Sequence, residues 1–351
     1  MGRRVYVRDL AGNICLALNM AMIKKVSIIG DGAWGTTLAL HLARKKYPVT
    51  LWGAFPEYVS EVAKTRHNKK FLPGFKIPSA VKLTSDINKA VLFGDLIVLC
   101  VPSEYLTGTL SRIRTAPYKG KVFVSVVKGI HPQSFKRMSQ IILDHLPRVP
   151  LVVLSGPTIA LEVAAGIPTT AVAACHNEKL AVEVQKVFNS DTFRIYTNTD
   201  VAGVEIGGSV KNCIALACGI CDGLKLGTNA KAAILTRGLA EITRLGMALG
   251  CRRETFYGLT GLGDLATTCF SPNSRNRTVG EALGQGKKIK SILSRMDAVA
   301  EGVITARAVY HLALEKKVAM PIVTEVYKII FEDKPVAQAM ADLMGRSLKS
   351  E

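Results

Sequence analysis

A chain of 351 residues with 48% hydrophobic and 21% charged residues exceeds one ordinary domain, can bury sizeable cores and does not have the composition of a disordered protein. Its 46 basic residues against 27 acidic ones give a net charge of +19, which favours anionic partners: phosphorylated metabolites, nucleotides, nucleic acid or acidic lipid. The basic residues are spread along the chain, with no arginine-rich arm and no basic run interleaved with aromatics, so nucleic acid is a minor reading.

In chain order, residues 1–22 stand apart. Arg3, Arg4 and Arg8 precede an apolar stretch from Leu10 to Ile23, too short for a membrane span and broken by Asn13 and Asn19. No cleavage site follows. The segment is expected to be a disordered leader or an upstream-start extension, with Met20 or Met22 as alternative starts. Val26 to Ile29 then reads as a buried strand, and Thr36 to Lys46 as a helix with Leu38 and Leu42 on one face. Between them lies Gly30-Asp31-Gly32-Ala33-Trp34-Gly35. Strand, glycine turn and helix is the context in which this spacing means dinucleotide binding. Gly30 permits the sharp turn, Gly32 leaves the backbone open to a pyrophosphate, and Gly35 lets the helix pack on the strand. The helix N-terminus offers unpaired N–H groups to phosphates. Asp31, an anion beside a proposed anion site, argues mildly against it.

Pro48 to Trp52 reads as a second strand. An acid about 20 residues past the glycines would bond the ribose 2′-hydroxyl of NAD. Trp52, Gly53, Ala54 and Phe55 occupy that region, with no acid before Glu57 and no base to grip a 2′-phosphate. NAD and NADP both stay open, leaning to NADP. Glu57 to Lys70 is expected as a polar helix and Phe71 to Pro78 as a loop. Apolar runs at Leu96–Val101, Val122–Val127, Val152–Leu154, Thr170–Ala174 and Arg194–Thr197 read as strands. Helical segments at Tyr105–Ile113, Ser134–Leu146, Ile159–Ala165 and Glu178–Phe188 alternate with them. Such alternation implies a mostly parallel, Rossmann-like sheet with ligands at the strand carboxyl ends. Lys128, Gly156 and Thr158 fall just past such ends.

After Asn198 the texture becomes helical: Val201 to Asp222, Lys231 to Leu249, Glu281 to Leu283, Thr305 to Leu314, Val323 to Phe331 and Pro335 to Met344. The expected fold is α/β, with a nucleotide-binding sheet domain over 23–199 followed by an all-α domain over 200–351. No later stretch looks long and apolar enough to cross a bilayer, so a soluble, cytoplasmic chain without stable membrane insertion is expected. Cys218 and Cys221 form C-x-x-C, but no second pair stands at zinc-ligand spacing; buried thiols in a helix are expected, and no metal.

Three groups could carry chemistry. Lys211 lies among Val204, Ile206, Val210, Ile214 and Leu216. Desolvation lowers an ammonium pKa, and a second cation such as Lys128 lowers it further, so this lysine could donate a proton near neutral pH. The alternative is a lysine snorkelling from a helix face. Asp264, in Gly261-Leu262-Gly263-Asp264-Leu265, could orient or charge-balance that lysine. Ser274, Arg275 and Asn276 offer a hydroxyl, a guanidinium fork and an amide, a set suited to phosphate, or else form a solvated loop.

GDGAWGTTLA, VVKG, SGPT, GGSVKN, NAKAAILTRGLAE, GLGDL, SRNR and AEG occur in this order between about Lys25 and Arg346. Together they resemble the bacterial-type NAD(P)-dependent glycerol-3-phosphate dehydrogenases. That resemblance implies reduction of dihydroxyacetone phosphate to sn-glycerol 3-phosphate with NAD or NADP, feeding phospholipid synthesis, and a homodimer. It makes Lys211 the proton donor and acceptor and Lys128 a lysine touching cofactor and substrate. It assigns Gly156, Thr158, Asp264, Ser274, Arg275 and Asn276 to the substrate pocket. Ala33, Trp34, Ala160, Arg275, Val299 and Glu301 become cofactor contacts beside Gly30, Gly32 and Gly35. Asp31 departs from the family's small residue, and Ala54 from its frequent His or Arg. The rival enzyme class is the β-hydroxyacid or 6-phosphogluconate type, which also has a helix-borne lysine followed by Asn. The rival outside enzymes is a nucleotide-sensing binding protein.

Overall fold

The computed structural model describes residues 5–8, 14–17, 23–294, 296, 300–348 and 350. Two short strands, β1 (Val5–Arg8) and β2 (Ile14–Ala17), pair antiparallel and stand apart from the main sheet. Both lie within residues 1–22, where the sequence predicts a disordered leader or upstream-start extension; the rest of that segment lies outside the described residues.

The main sheet has eight strands: β3 (Val26–Ile29), β4 (Val49–Trp52), β5 (Val81–Thr84), β6 (Leu96–Leu99), β7 (Val122–Ser125), β8 (Leu151–Ser155), β9 (Thr169–Ala174) and β10 (Phe193–Asn198). Their order is β10-β9-β8-β7-β6-β3-β4-β5. All neighbours are parallel except β8 and β9. Every residue of β3, β4 and β6 is buried, as in a sheet covered by helices on both faces. Ile29 pairs with Trp52 on one side and Leu99 on the other. The chain order reverses at this strand, so the crevice beyond its carboxyl end is the place where such sheets bind ligands.

The sequence pattern missed β5 and the helix Ile87–Phe93. As an edge strand, β5 buries only Val81, so it carries no continuous apolar run. The helix after it is set by its cap: the Asp86 carboxylate accepts the N–H of Asn88 (2.9 Å) and Lys89 (3.2 Å). The expected helix over 57–70 stops at Thr65, because Arg66 turns left-handed (φ 57°) and its guanidinium binds the carbonyls of Ile77 (3.2 Å) and Val81 (2.8 Å).

The second half is helical and wraps one helix, Val201–Gly223, whose residues 203–221 are all buried. By length and hydropathy alone this helix could cross a membrane, which corrects the expectation that no such segment exists; its apolar window is wholly enclosed by the protein. It is apolar all round because it has protein on every side. Asp200 caps it, accepting the Gly203 N–H at 2.9 Å. Glu205, buried, fastens it to the sheet half: it accepts the N–H (2.7 Å) and hydroxyl (2.6 Å) of Ser139 and pairs with Arg137 (2.5 Å). About four turns on, the C-x-x-C cysteines Cys218 and Cys221 are buried within the same helix.

Candidate active site

The glycine turn has the form its spacing requires. Gly30 takes φ 124°, and a Cβ there would stand 2.6 Å from the Cys100 carbonyl oxygen on the neighbouring strand connection. A Cβ on Gly35 would stand 1.9 Å from the Gly30 carbonyl oxygen, so the helix Ala33–Arg44 approaches β3 only because no side chain intervenes. Gly32 is different. A Cβ there would meet no atom within 4 Å, so its backbone faces open space. The helix has no side-chain cap and no acidic residue in its first turn. Its first N–H groups therefore suit a phosphate, and this cradle fits the pyrophosphate of a dinucleotide. The Asp31 carboxylate does not oppose it, being directed onto Gly53 at the end of β4.

Facing this edge of the sheet is a buried charge cluster. Asp264 is 1% exposed, and its two oxygens receive two lysines. Lys211 on the central helix pairs with Oδ1, and Lys128, just past β7, pairs with Oδ2 at 2.6 Å. Lys211 also donates to Thr268 Oγ1 at 2.7 Å, and Lys128 to the Gly156 carbonyl at 3.1 Å. Thr268 in turn donates to the Asp264 carbonyl at 2.6 Å. Burial pushes the Lys211 ammonium down to about 8, with Lys128 adding to the fall and Asp264 opposing it. A lysine buried in this way is chemically able to donate a proton near neutral pH.

Local sequence explains the assembly. Gly208 lets the central helix close on β8, since a Cβ there would sit 2.7 Å from Ser155 Oγ. Ser209 Oγ accepts the Gly129 N–H at 2.9 Å, which pins the loop carrying Lys128. Asp264 follows a single π-helical turn, Leu259–Gly263, a feature that concentrates at functional sites.

The remaining sequence candidates divide. Thr158 donates to the Gly156 carbonyl (3.1 Å), and the Ala160 carbonyl accepts from Thr37 on the glycine-turn helix (3.0 Å). Trp34 is packed edge-on against Phe193. Ser274, Arg275 and Asn276 form no loop: Ser274 is the cap of the helix Arg275–Gly284, its hydroxyl accepting the Arg277 N–H at 3.3 Å. Buried Asn276 accepts the Gly302 N–H at 2.9 Å, joining that helix to the start of Glu301–Glu315. Glu301 feels Arg275, Lys128 and Lys211 together, and burial holds its carboxyl above the usual range. Cys100, beside Gly30, feels Glu301 in turn. Cys100 and Glu301 thus link the glycine turn to the lysine cluster. Val299 lies outside the described residues. Two groups escaped the sequence reading. Thr268 carried a signal, standing four residues after Asp264 on the same helix face. Ser155 Oγ, buried and without a hydrogen-bond partner among the described residues, carried none beyond its place before Gly156.

A parallel-sheet dinucleotide cradle joined to a helical half that delivers a buried Lys–Asp–Lys cluster defines a two-part nicotinamide-dependent oxidoreductase. Comparison with known proteins narrows the class. Residues 25–181 match the N-terminus, and residues 200–341 the C-terminus, of NAD-dependent glycerol-3-phosphate dehydrogenase. A glycerol-3-phosphate dehydrogenase [NAD(P)+] of Chlorobium limicola is 48% identical over 329 residues, covering 93% of this chain and 99% of that protein. One from Geobacter sulfurreducens is 48% identical over 335 residues, covering 94% and 99%. The crystal structure of glycerol-3-phosphate dehydrogenase from Coxiella burnetii superposes with a TM-score of 0.89 at 36% identity, covering 93% of this chain and all of that one. The chain belongs to the NAD-dependent glycerol-3-phosphate dehydrogenase family.

Proposed function

We propose that the chain interconverts dihydroxyacetone phosphate and sn-glycerol 3-phosphate, with Lys211 as the group that gives and takes the proton. NAD or NADP, when bound, supplies or accepts the hydride. The observation that carries the assignment of Lys211 is its enclosure between Asp264, Thr268 and Lys128 at the crevice fed by the strand ends.

As the C2 carbonyl of the substrate is reduced, negative charge gathers on its oxygen. A cationic Lys211 stabilises that charge and then protonates the oxygen. Asp264 holds the amine in place and favours its charged form, while burial and Lys128 lower its pKa. Arg275, at the N-terminus of its helix and near Glu301, is assigned to the substrate phosphate together with Asn276. Gripping a phosphate remote from the reacting carbon converts binding energy into alignment. The Rossmann-like part over 23–199 supplies the cofactor seat and the part over 200–351 the proton. The family likeness extends the proposal to a cytoplasmic homodimer supplying glycerophospholipid synthesis; sedimentation reads the dimer directly.

Initial rates of NADH and NADPH oxidation with dihydroxyacetone phosphate, 3-hydroxy-acid precursors and no substrate test the activity. Turnover confined to the triose phosphate is expected. Turnover of the acids' oxo forms alone would move the chain to the rival class.

A further inference from the structure

The end of β4 lacks the acid that sheets of this kind use to hold an adenosine ribose: Gly53, Ala54 and Phe55 follow Trp52. A carboxylate nevertheless stands there. A Cβ built on Gly53 would lie 2.2 Å from Oδ2 and 2.6 Å from Cγ of Asp31, so the Asp31 carboxyl rests directly on the Gly53 backbone. It arrives from the glycine turn rather than from the strand. We propose that Asp31 replaces the missing strand-end acid, accepts the ribose 2′-hydroxyl, and selects NADH over NADPH.

Three observations support this. Asp31 is held in place through its backbone, whose carbonyl accepts from Asn68 Nδ2 (2.7 Å) and from Thr36 Oγ1 (3.2 Å). Asn68 is itself buried and fixed by the Tyr58 hydroxyl at 2.6 Å. Second, the carboxylate is short of donors. Among the described residues none gives it an ion pair or a side-chain hydrogen bond, its own backbone N–H apart, and burial raises its pKa. A hydroxyl delivered by a ligand would supply the missing donor. Third, residues 53–63, which follow the strand, carry no cation to compensate a 2′-phosphate, and the Arg112 guanidinium at this strand end is stacked over the Trp52 ring, 5.1 Å from its centroid. The helix Pro56–Thr65 has Glu57 in its first turn and no cation before Lys64. A dianionic phosphate beside Asp31 would meet a like charge. Gly53 is the counterpart of this arrangement, since any larger residue there would push the carboxylate out of its place.

The inference rests on the dinucleotide reading of the glycine turn, and the test separates the two. Dissociation constants of NADH and NADPH are measured by fluorescence titration without substrate, for the wild type, Asp31→Asn and Asp31→Ala. The wild type is expected to bind NADH at least about tenfold more tightly than NADPH, the size of one charge-assisted hydrogen bond gained against one repulsion. Both substitutions are expected to shrink that ratio about tenfold, by weakening NADH and strengthening NADPH. A preference for NADPH in the wild type, or a ratio unchanged in two variants that still bind both nucleotides, would overturn the role of Asp31 and leave the dinucleotide site standing. Binding of neither nucleotide by the wild type would overturn the site and the proposal together.

Discussion

Where the sheet half meets the crevice it offers mostly backbone: the Gly32 surface, the uncapped N–H groups of the helix after it and the Gly156 carbonyl. Where the helical half meets the same crevice it offers buried side chains: Lys211, Asp264 and Thr268, each locked to the next. The two surfaces answer to different physics. A cradle for phosphates must be smooth and rich in donors, and it tolerates no side chain, whereas a proton donor must be a titratable group whose pKa is set by enclosure. One half should therefore fail through sterics and the other through charge.

The largest expected effect breaks the helical side alone. Lys211→Ala should lower kcat about a thousandfold or more while the cofactor dissociation constant stays within about twofold of wild type. A parallel loss of cofactor affinity would mean that the two surfaces are not separable. Gly35→Ala breaks the sheet side: with a Cβ 1.9 Å from the Gly30 carbonyl oxygen, the turn must open. Cofactor affinity should fall about tenfold or more by calorimetry, with melting temperature falling too. Arg275→Ala sharpens the division within the helical half. KM for the triose phosphate should rise about tenfold or more with cofactor affinity held, since the proposed assignment makes Arg275 a charge-assisted contact to the phosphate.

pH gives two smaller tests of opposite sign. With Lys211 near 8, kcat for carbonyl reduction should fall as pH rises through 8, because the acid form is lost, and alcohol oxidation should rise over the same interval. Glu241 is outside the Lys211–Asp264–Lys128 cluster. It is buried in the helical half, accepts the N–H groups of Ile322 (2.8 Å) and Val323 (3.2 Å), and burial raises its carboxyl to about 7. A raised native pKa means that the folded state binds more protons than the unfolded one between 4.5 and 7, so this group's contribution to stability falls as pH rises through that window. Glu241→Gln should flatten that slope in thermal melts and leave the pH profile of kcat unchanged.

Much of this was legible in the chain. The strands β3, β4, β6 and β7 announce themselves because burial on both faces makes them continuous apolar runs. The glycine turn is readable because its steric demands fall on single positions. Lys211 could be suspected from its neighbours, and Asp264 and Lys128 named as candidate partners, but the pairing of both lysines with one carboxylate could not be read. Asp264 and Lys128 are separated from it by 53 and 83 positions, and only the fold brings them within bonding distance. Ser274 and Asn276 looked like a polar loop because capping residues and loop residues are the same residue types; the helix they begin shows only in three dimensions. Asp31 illustrates the limit most plainly. Its charge was legible and read as a mild objection to phosphate binding, yet the placement of its side chain on Gly53 follows from a close approach of two loops.

Chemical rescue of Lys211→Ala tests the centre of this account most directly. Added primary amines of graded basicity should restore reduction of dihydroxyacetone phosphate, with a rate that follows the acidity of each ammonium once size is allowed for. Rescue indifferent to amine acidity, or a variant that needs no rescue because it already turns over at the wild-type rate, would contradict the placement of the proton donor at position 211.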